Sequence, residues 1–349
     1  MESISFSGRI IGANRPCFII AEAGVNHNGD LNLAKKLIDA VQATGADAVK
    51  FQTWVTEKLL VPDALMAEYQ KKNVESGQNQ FEMLKKLELS YDQFRELKTY
   101  SDQLGILFLS TPDEEDSANF LEELGVPVFK IGSGEVTNLP FLQHIAAKGI
   151  PIILSTGMST LGEVEAAVRT IEQTGNTQLA LLHAVSEYPA SPADCNLRAL
   201  DTLSAAFGYP VGFSDHTLGI EVAIASVARG ACIIEKHFTL DKKMPGPDHR
   251  ASMEPVEFAL MVKGIRSVET ALGDGIKRPA ASEIETKKVV QKSLVTARAI
   301  ASGELITQAD IVLRRTSGGM PPAYLPFIVG KRAKQALRAN QTLVPDMVQ

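Results

Sequence analysis

The alternation of short apolar runs with amphipathic helical stretches constrains this chain more than any other feature. Runs rich in Val, Ile, Leu and Phe stand at residues 17–23, 46–52, 105–111, 127–133, 151–156, 179–184, 210–216 and 231–237. Segments with 3.6-residue apolar spacing lie between them. In LNLAKKLIDAVQATG that spacing puts Leu33, Leu37, Ile38 and Val41 on one helix face, and Gly45 ends the helix. VEAAVRTIEQTG repeats the pattern and stops at Gly175. Strands that are apolar along their whole length are buried on both faces, as in a parallel sheet covered by helices. Eight such runs in roughly 240 residues fit a closed (β/α)8 TIM barrel better than an open sheet.

The barrel is expected over residues 1–272. Its longest connection, 54–90, carries the polar piece YQKKNVESGQNQ and reads as an excursion at the rim. After Gly273 the character changes. GDGIKRPAASEIETKK is charged and weakly periodic, which predicts a linker over 273–287. The pieces SLVTARAI, DIVLRRT and KRAKQAL, separated by SGE, SGG and RANQ, predict a small β-rich domain over 288–349.

Composition removes several function classes. The 35 basic and 41 acidic residues leave a net charge of −6, which argues against nonspecific binding to nucleic acid or an anionic membrane. Cys17, Cys195 and Cys232 are odd in number and form no CxxC pair, so the chain is expected in a reducing compartment, the cytoplasm, without a thiolate metal site. No apolar run approaches ~18 residues, and MESISFSGRI lacks the pattern of a signal peptide. GxSxG, GxxxxGKS, HExxH and GxGxxG are all absent.

Each apolar run ends at its carboxyl side in polar residues: Glu22; Lys50 and Gln52; Ser110 and Thr111; Lys130 with Ser133 and Glu135; Ser155 and Thr156; His183; Ser214, Asp215 and His216; Glu235 and His237. Barrel enzymes build their active sites from this rim, and burying unpaired charge costs several kcal/mol, so the pattern predicts an active site. Lys50, Lys130, Ser133, Ser155 and Thr111 form a set suited to a phosphate or carboxylate. A purely structural pairing of each lysine with Glu22, Glu135 or Glu235 is the competing explanation. His216 and His237 close neighbouring strands, so their imidazoles can converge on one divalent ion, Mn²⁺, Mg²⁺, Fe²⁺ or Zn²⁺, with Glu22 or Asp215 nearby. His27, in GVNHNGD, is either a substrate contact or a turn residue. His144 and His249 read as ordinary polar groups.

IIAEAGVNHNGDL, VKFQT, STP, FKIGSGE, ILSTGM, EYPA, GFSDHT, IEKHFTLDK and GPDHRAS occur in that order on successive strand ends. In these motifs the chain resembles the sialic acid synthase family, whose C-terminal piece is an antifreeze-like (SAF) domain. The resemblance implies a metal-dependent condensation of phosphoenolpyruvate with an N-acylated mannosamine-type sugar in its open-chain form, plus water, releasing phosphate. The product would be N-acetylneuraminate or legionaminate. It further implies Mn²⁺ or Mg²⁺ on His216 and His237 with Glu22 close by. Lys50, Lys130, Ser133, Ser155 and Ser214 would bind phosphoenolpyruvate, Gln52, Tyr188 and Asp248 would meet the sugar, and Glu135 and Asp215 match acidic positions of the site. Ser186 stands where some members carry Asn. The family's homodimers exchange C-terminal domains, and Arg315 in VLRRTSGG matches the arginine that caps the partner's barrel; Thr316 and Ser317 replace the usual Pro-Gly. Two other readings stay open. One is a class I aldolase with Lys130 as the Schiff-base nucleophile, which predicts metal independence. The other is a carbohydrate-binding regulatory protein, which predicts binding without phosphate release.

Overall fold

The computed structural model describes residues 3–66 and 79–349. The greater part of the polar piece YQKKNVESGQNQ, residues 69–78, therefore lies outside the described residues. The chain divides into two compact units, Met1–Gly273 and Asp274–Gln349.

The first unit opens with a hairpin of β1 (Ser3–Phe6) and β2 (Arg9–Gly12). Eight strands follow: β3 (Phe18–Gly24), β4 (Ala48–Thr53), β5 (Leu107–Pro112), β6 (Phe129–Ile131), β7 (Ile152–Ser155), β8 (Leu179–Ala184), β9 (Val211–Asp215) and β10 (Ile233–His237). They form one sheet in the order β5-β4-β3-β10-β9-β8-β7-β6. All its ladders are parallel, and β10 pairs with β3, so the last strand of the set meets the first. β5 packs beside β6, which brings the two ends of the sheet together as a (β/α)8 barrel.

Local chemistry sets the helices as the spacing predicts. The one after β3 spans Leu31–Thr44; the Asp30 side chain caps it by accepting from the backbone N–H of Asn32 and Leu33, and Gly45 ends it at φ 81°. Its buried face is Ala34, Leu37, Ile38 and Val41, with Leu33 half-buried at the edge.

Period-two alternation then sorts the strand residues into two sets. Ile19, Ala21, Val49, Phe51, Phe108, Phe129, Ile152, Leu181 and Phe213 pack under the helices. Phe18, Ile20, Ala48, Leu109, Val128, Ile153, Leu182 and Ile233 fill the barrel interior. Gly212 occupies an inner position where a Cβ would stand 2.4 Å from the Ile233 carbonyl oxygen and 2.6 Å from Leu182 Cδ2. The hairpin joins this inner set. Ile4, Phe6 and Ile11 close the amino-terminal end of the barrel, with Phe6 edge-on to Phe18 at 5.3 Å. Its two-residue turn, Ser7 at φ 48° and Gly8 at φ 72°, has the left-handed backbone conformation at both positions that matches the right-handed twist of the paired strands.

In the second unit, β11 (Lys292–Thr296) and β12 (Ile311–Arg315) pair antiparallel over a core of Leu294, Ile300, Ile306, Met320, Ile328, Leu337 and Leu343. Two expectations differ here. A helix, Ile284–Val290, occupies part of the stretch read as linker. KRAKQAL forms isolated bridges, Arg332 to Leu305, Ala333 to Val348 and Leu337 to Ile300, rather than a continuous strand.

Candidate active site

Along each barrel strand the inward positions pass from apolar to polar near the carboxyl end. β3 runs Phe18, Ile20, Glu22; β4 runs Ala48, Lys50, Gln52; β10 runs Ile233, Glu235, His237. Thr111, Lys130, Ser155 and Ser214 end the inner rows of β5, β6, β7 and β9. Together with Ser133, Glu135, Ser186, Tyr188 and His216, these residues line one cavity of about 470 Å³. The cavity gathers thirteen of the sixteen residues given a site role from the sequence, and leaves out Asp215, Asp248 and Arg315.

The two lysines are almost fully buried, at 2% for Lys50 and 3% for Lys130. Lys50 Nζ lies 2.6 Å from Glu22 Oε2 and 3.9 Å from Glu235 Oε2, and donates to Thr111 Oγ1 at 3.0 Å. Lys130 Nζ donates to Ser155 Oγ at 2.8 Å and stands 3.5 Å from Glu235 Oε1, which accepts from Ser214 Oγ at 3.1 Å. Burial works against the charge on Lys50, but Glu22 and Glu235 outweigh it and its pKa rises. Burial wins at Lys130 and lowers its pKa. The two carboxyls are driven apart. Burial pushes Glu22 up to about 8 despite Lys50. Burial also opposes ionisation of Glu235, yet Lys130 and Lys50 together hold it below the usual range.

His216 and His237 face each other with ring centroids 5.5 Å apart, and the Tyr188 ring packs on both, at 4.1 and 5.2 Å. Burial lowers the pKa of His216 and takes that of His237 well below the usual value, so both imidazoles are neutral. His216 Nδ1 is 2.6 Å from the Val185 carbonyl oxygen, which fixes the proton there and leaves the Nε2 lone pair as an acceptor. His237 Nδ1 is buried with no hydrogen bond; Asp248 Oδ2 is 3.7 Å away. Two neutral nitrogen donors, one with its tautomer set from behind, fit a divalent cation that keeps open positions. Among the described residues no group of three or more His, Cys, Asp or Glu side chains closes into a full cage.

The structure separates some predicted residues from this cavity. Asp215 and Lys236 have the outward parity of their strands and form a buried ion pair at 2.7 Å behind the rim, so Asp215 does not reach the site. His183 also points outward, with Nε2 2.7 Å from the Cys195 carbonyl oxygen and its ring against Phe213. Ser110 does the same and bonds Thr53. Asp248 stands beside His237, and burial pushes its carboxyl up to about 6. His27 is a buried turn residue whose Nδ1 accepts from the Gly29 N–H at 3.1 Å. Arg315 ends β12 in the second unit, exposed. Three lining residues escaped sequence reasoning: Gln80, Asp113 and Met158. Burial pushes Asp113 up to about 7. Its position one residue beyond STP was the available signal, and Met158 holds a positive φ of 62° in STGM.

A (β/α)8 barrel with buried lysines, split carboxyls and two neutral imidazoles at its carboxyl rim is an enzyme fold carrying a site for an anionic substrate. The family pattern described as "NeuB family" matches residues 37–277, and that of the SAF domain matches residues 291–349. The chain belongs to the NeuB family. It is 49% identical over 337 residues to an N,N'-diacetyllegionaminic acid synthase of Legionella pneumophila, covering 95% of each chain. It is 45% identical to the enzyme of the same name from Campylobacter jejuni, over 93% of this chain and 98% of the other. The crystal structure of an N-acetylneuraminic acid (sialic acid) synthetase from Leptospira borgpetersenii in complex with citrate is 36% identical. It superposes with a TM-score of 0.72 over 83% of this chain and 98% of that one.

Proposed function

We propose that the protein condenses phosphoenolpyruvate with an open-chain N-acylated mannosamine-type sugar and water, releasing phosphate, and that the product is N,N'-diacetyllegionaminic acid. The reaction class is carried by one observation: two buried lysines and two neutral imidazoles converge in a single cavity. The choice of sugar is supported by the 49% and 45% identities to N,N'-diacetyllegionaminic acid synthases over nearly the whole chain.

In this reading Lys50 and Lys130, with Thr111, Ser133, Ser155 and Ser214, bind the phosphate and carboxylate as charge-assisted hydrogen bonds in a dry pocket. Gln52, Tyr188 and Asp248 orient the sugar so that its aldehyde carbon meets the third carbon of phosphoenolpyruvate. A new carbon–carbon bond forms, water adds at the second carbon, and phosphate leaves by carbon–oxygen cleavage. Glu22, whose carboxyl pKa burial raises, is suited to give a proton, and Glu235, held low by the two lysines, to accept one; Glu135 lines the same cavity. His216 and His237 would hold Mn²⁺ or Mg²⁺, which supplies Lewis-acid polarisation of the aldehyde oxygen. The proposed assembly is a homodimer in which Arg315 of one chain covers the barrel of its partner.

The lowered pKa of Lys130 also suits imine chemistry, as in a class I aldolase. One assay separates the two. Metal-stripped enzyme, with and without added Mn²⁺, is offered phosphoenolpyruvate and either 2,4-diacetamido-2,4,6-trideoxymannose or N-acetylmannosamine, and phosphate release is followed. Metal-dependent release with the diacetamido sugar preferred is expected. Full activity after chelation, or a borohydride-trapped pyruvyl adduct on Lys130, defeats the condensation reading; preference for N-acetylmannosamine defeats only the choice of product.

A further inference from the structure

Behind the two histidines, on the outer face of the barrel, lies a buried ion pair that takes no part in the cavity. Asp215 precedes His216 at the end of β9, and Lys236 precedes His237 on β10. The two are register partners, the last pair of the β9–β10 ladder. Lys236 Nζ donates to Asp215 Oδ2 and to the Thr217 carbonyl oxygen, both at 2.7 Å. Asp215 Oδ1 in turn accepts from the Thr217 N–H at 2.9 Å and its hydroxyl at 2.8 Å. The side chains are 1% and 0% exposed.

An ion pair in such a place is not explained by stability, because an apolar pair of equal volume serves as well; the best-attested use of buried polar groups is to fix register. The register at stake is that of two strand ends. One residue further along each, the side chain turns inward as His216 or His237, and the ring separation of 5.5 Å depends on how those ends are held. His216 lies beyond the last ladder pair; past it the chain is held on the β8 side by the Ala190 N–H, which donates to the His216 carbonyl oxygen at 2.9 Å, and on the β10 side by Thr217, clasped between Asp215 and Lys236. We propose that Asp215 and Lys236 are positioning residues that set the spacing of His216 and His237 for a shared divalent cation. The proposal rests on the metal-assisted reading above.

The test is calorimetric titration of Mn²⁺, and separately of phosphoenolpyruvate, into metal-stripped full-length protein. Wild type is compared with Asp215→Asn/Lys236→Met, which removes both charges and leaves neither buried alone. The double variant is expected to fold, to lose about ten- to a hundredfold in Mn²⁺ affinity, and to bind phosphoenolpyruvate within about twofold of wild type, since Lys50 and Lys130 stand on other strands. A Mn²⁺ affinity within twofold of wild type overturns the positioning role. Equal loss of both affinities also overturns it, because the pair would then merely hold the barrel together. If wild type itself takes up no Mn²⁺, the metal-assisted reading fails, and the clamp with it. Should the double variant not fold, Asp215→Asn alone, whose single amide oxygen can still accept from Thr217 while Lys236 keeps the Thr217 carbonyl oxygen, is expected to show the same selectivity with about a three- to tenfold loss.

Discussion

Lys130 shows what a single buried cation is for. Ser155 Oγ, the Ile131 carbonyl and Glu235 surround its ammonium group at 2.8, 3.1 and 3.5 Å, and burial still lowers its pKa. A cation held that unwillingly favours an arriving anion. Lys130→Ala is therefore expected to cost ~2–4 kcal/mol of transition-state binding, about one and a half to three decades in kcat/KM for phosphoenolpyruvate. An unchanged phosphoenolpyruvate dependence in steady-state kinetics rules this role out. His27 gives a prediction of a different kind. It is 0% exposed, its Nε2 has no hydrogen-bond partner, and burial lowers its pKa from 6.5 to about 4. Between those values the unfolded chain binds a proton that the folded chain refuses, so stability falls as pH drops from 6.5 towards 4. The loss attributable to this one ring is on the order of 3 kcal/mol by pH 4. Denaturant unfolding of His27→Gln across that range should show a shallower acid slope than wild type; an identical slope places the acid sensitivity elsewhere.

The barrel separates stability and chemistry onto its two ends. The β1–β2 hairpin inserts Ile4, Phe6 and Ile11 at the amino-terminal end, whereas the cavity opens at the carboxyl end. Phe6→Ala removes a ring that is 6% exposed and packed on Phe18, which should lower unfolding stability by ~3–5 kcal/mol while kcat measured well below the new melting temperature stays within twofold. A matching fall in kcat means that the plug shapes the site. This hairpin was not legible beforehand. Each of its strands has four residues and an apolar pattern too short to stand out, and it forms because the open end of a barrel offers apolar surface to cover. The eight barrel strands were legible because burial on both faces leaves a continuous apolar run. The rim was legible for the same reason, as a set of polar ends. What the run-ends did not disclose was side: Lys50, Lys130, Glu235 and His237 point in, while Asp215, Lys236 and His183 point out. Counting alternate residues back from an apolar inner position such as Ile233 or Phe18 separates these groups, and Asp215 falls one residue out of step. Asp113 and Gln80 lie beyond the strands, where no periodicity marks the direction of a side chain.

At the scale of the whole molecule the question is what the second unit does. Its core of Leu294, Ile300, Ile306, Met320, Ile328, Leu337 and Leu343 is small, and a unit of that size is expected to gain from association. Its β12 ends in two arginines, of which Arg314 is engaged by Asn340 Oδ1 at 2.7 Å and Arg315 is exposed. The second unit opens with residues 274–290, which include the helix Ile284–Val290. At ~1.5 Å per helical and ~3.3 Å per extended residue, residues 274–290 can span on the order of 30–40 Å. A guanidinium brought over a cavity that holds phosphoenolpyruvate adds a bidentate anion contact and screens the site from water. If Arg315 acts on the partner chain, an Arg315→Ala protein and a His216→Ala protein should each be nearly inactive, one for want of the cap and the other of a barrel ligand. Mixed under conditions that exchange subunits, they form heterodimers in which the intact barrel of the first chain receives the intact cap of the second. Random re-pairing makes half of the dimers mixed, each with one complete site, so activity should rise to about a quarter of wild type. Mass spectrometry of differently labelled chains establishes that exchange has occurred. Activity that stays at the level of the parents after exchange means that the arginine serves its own barrel or none.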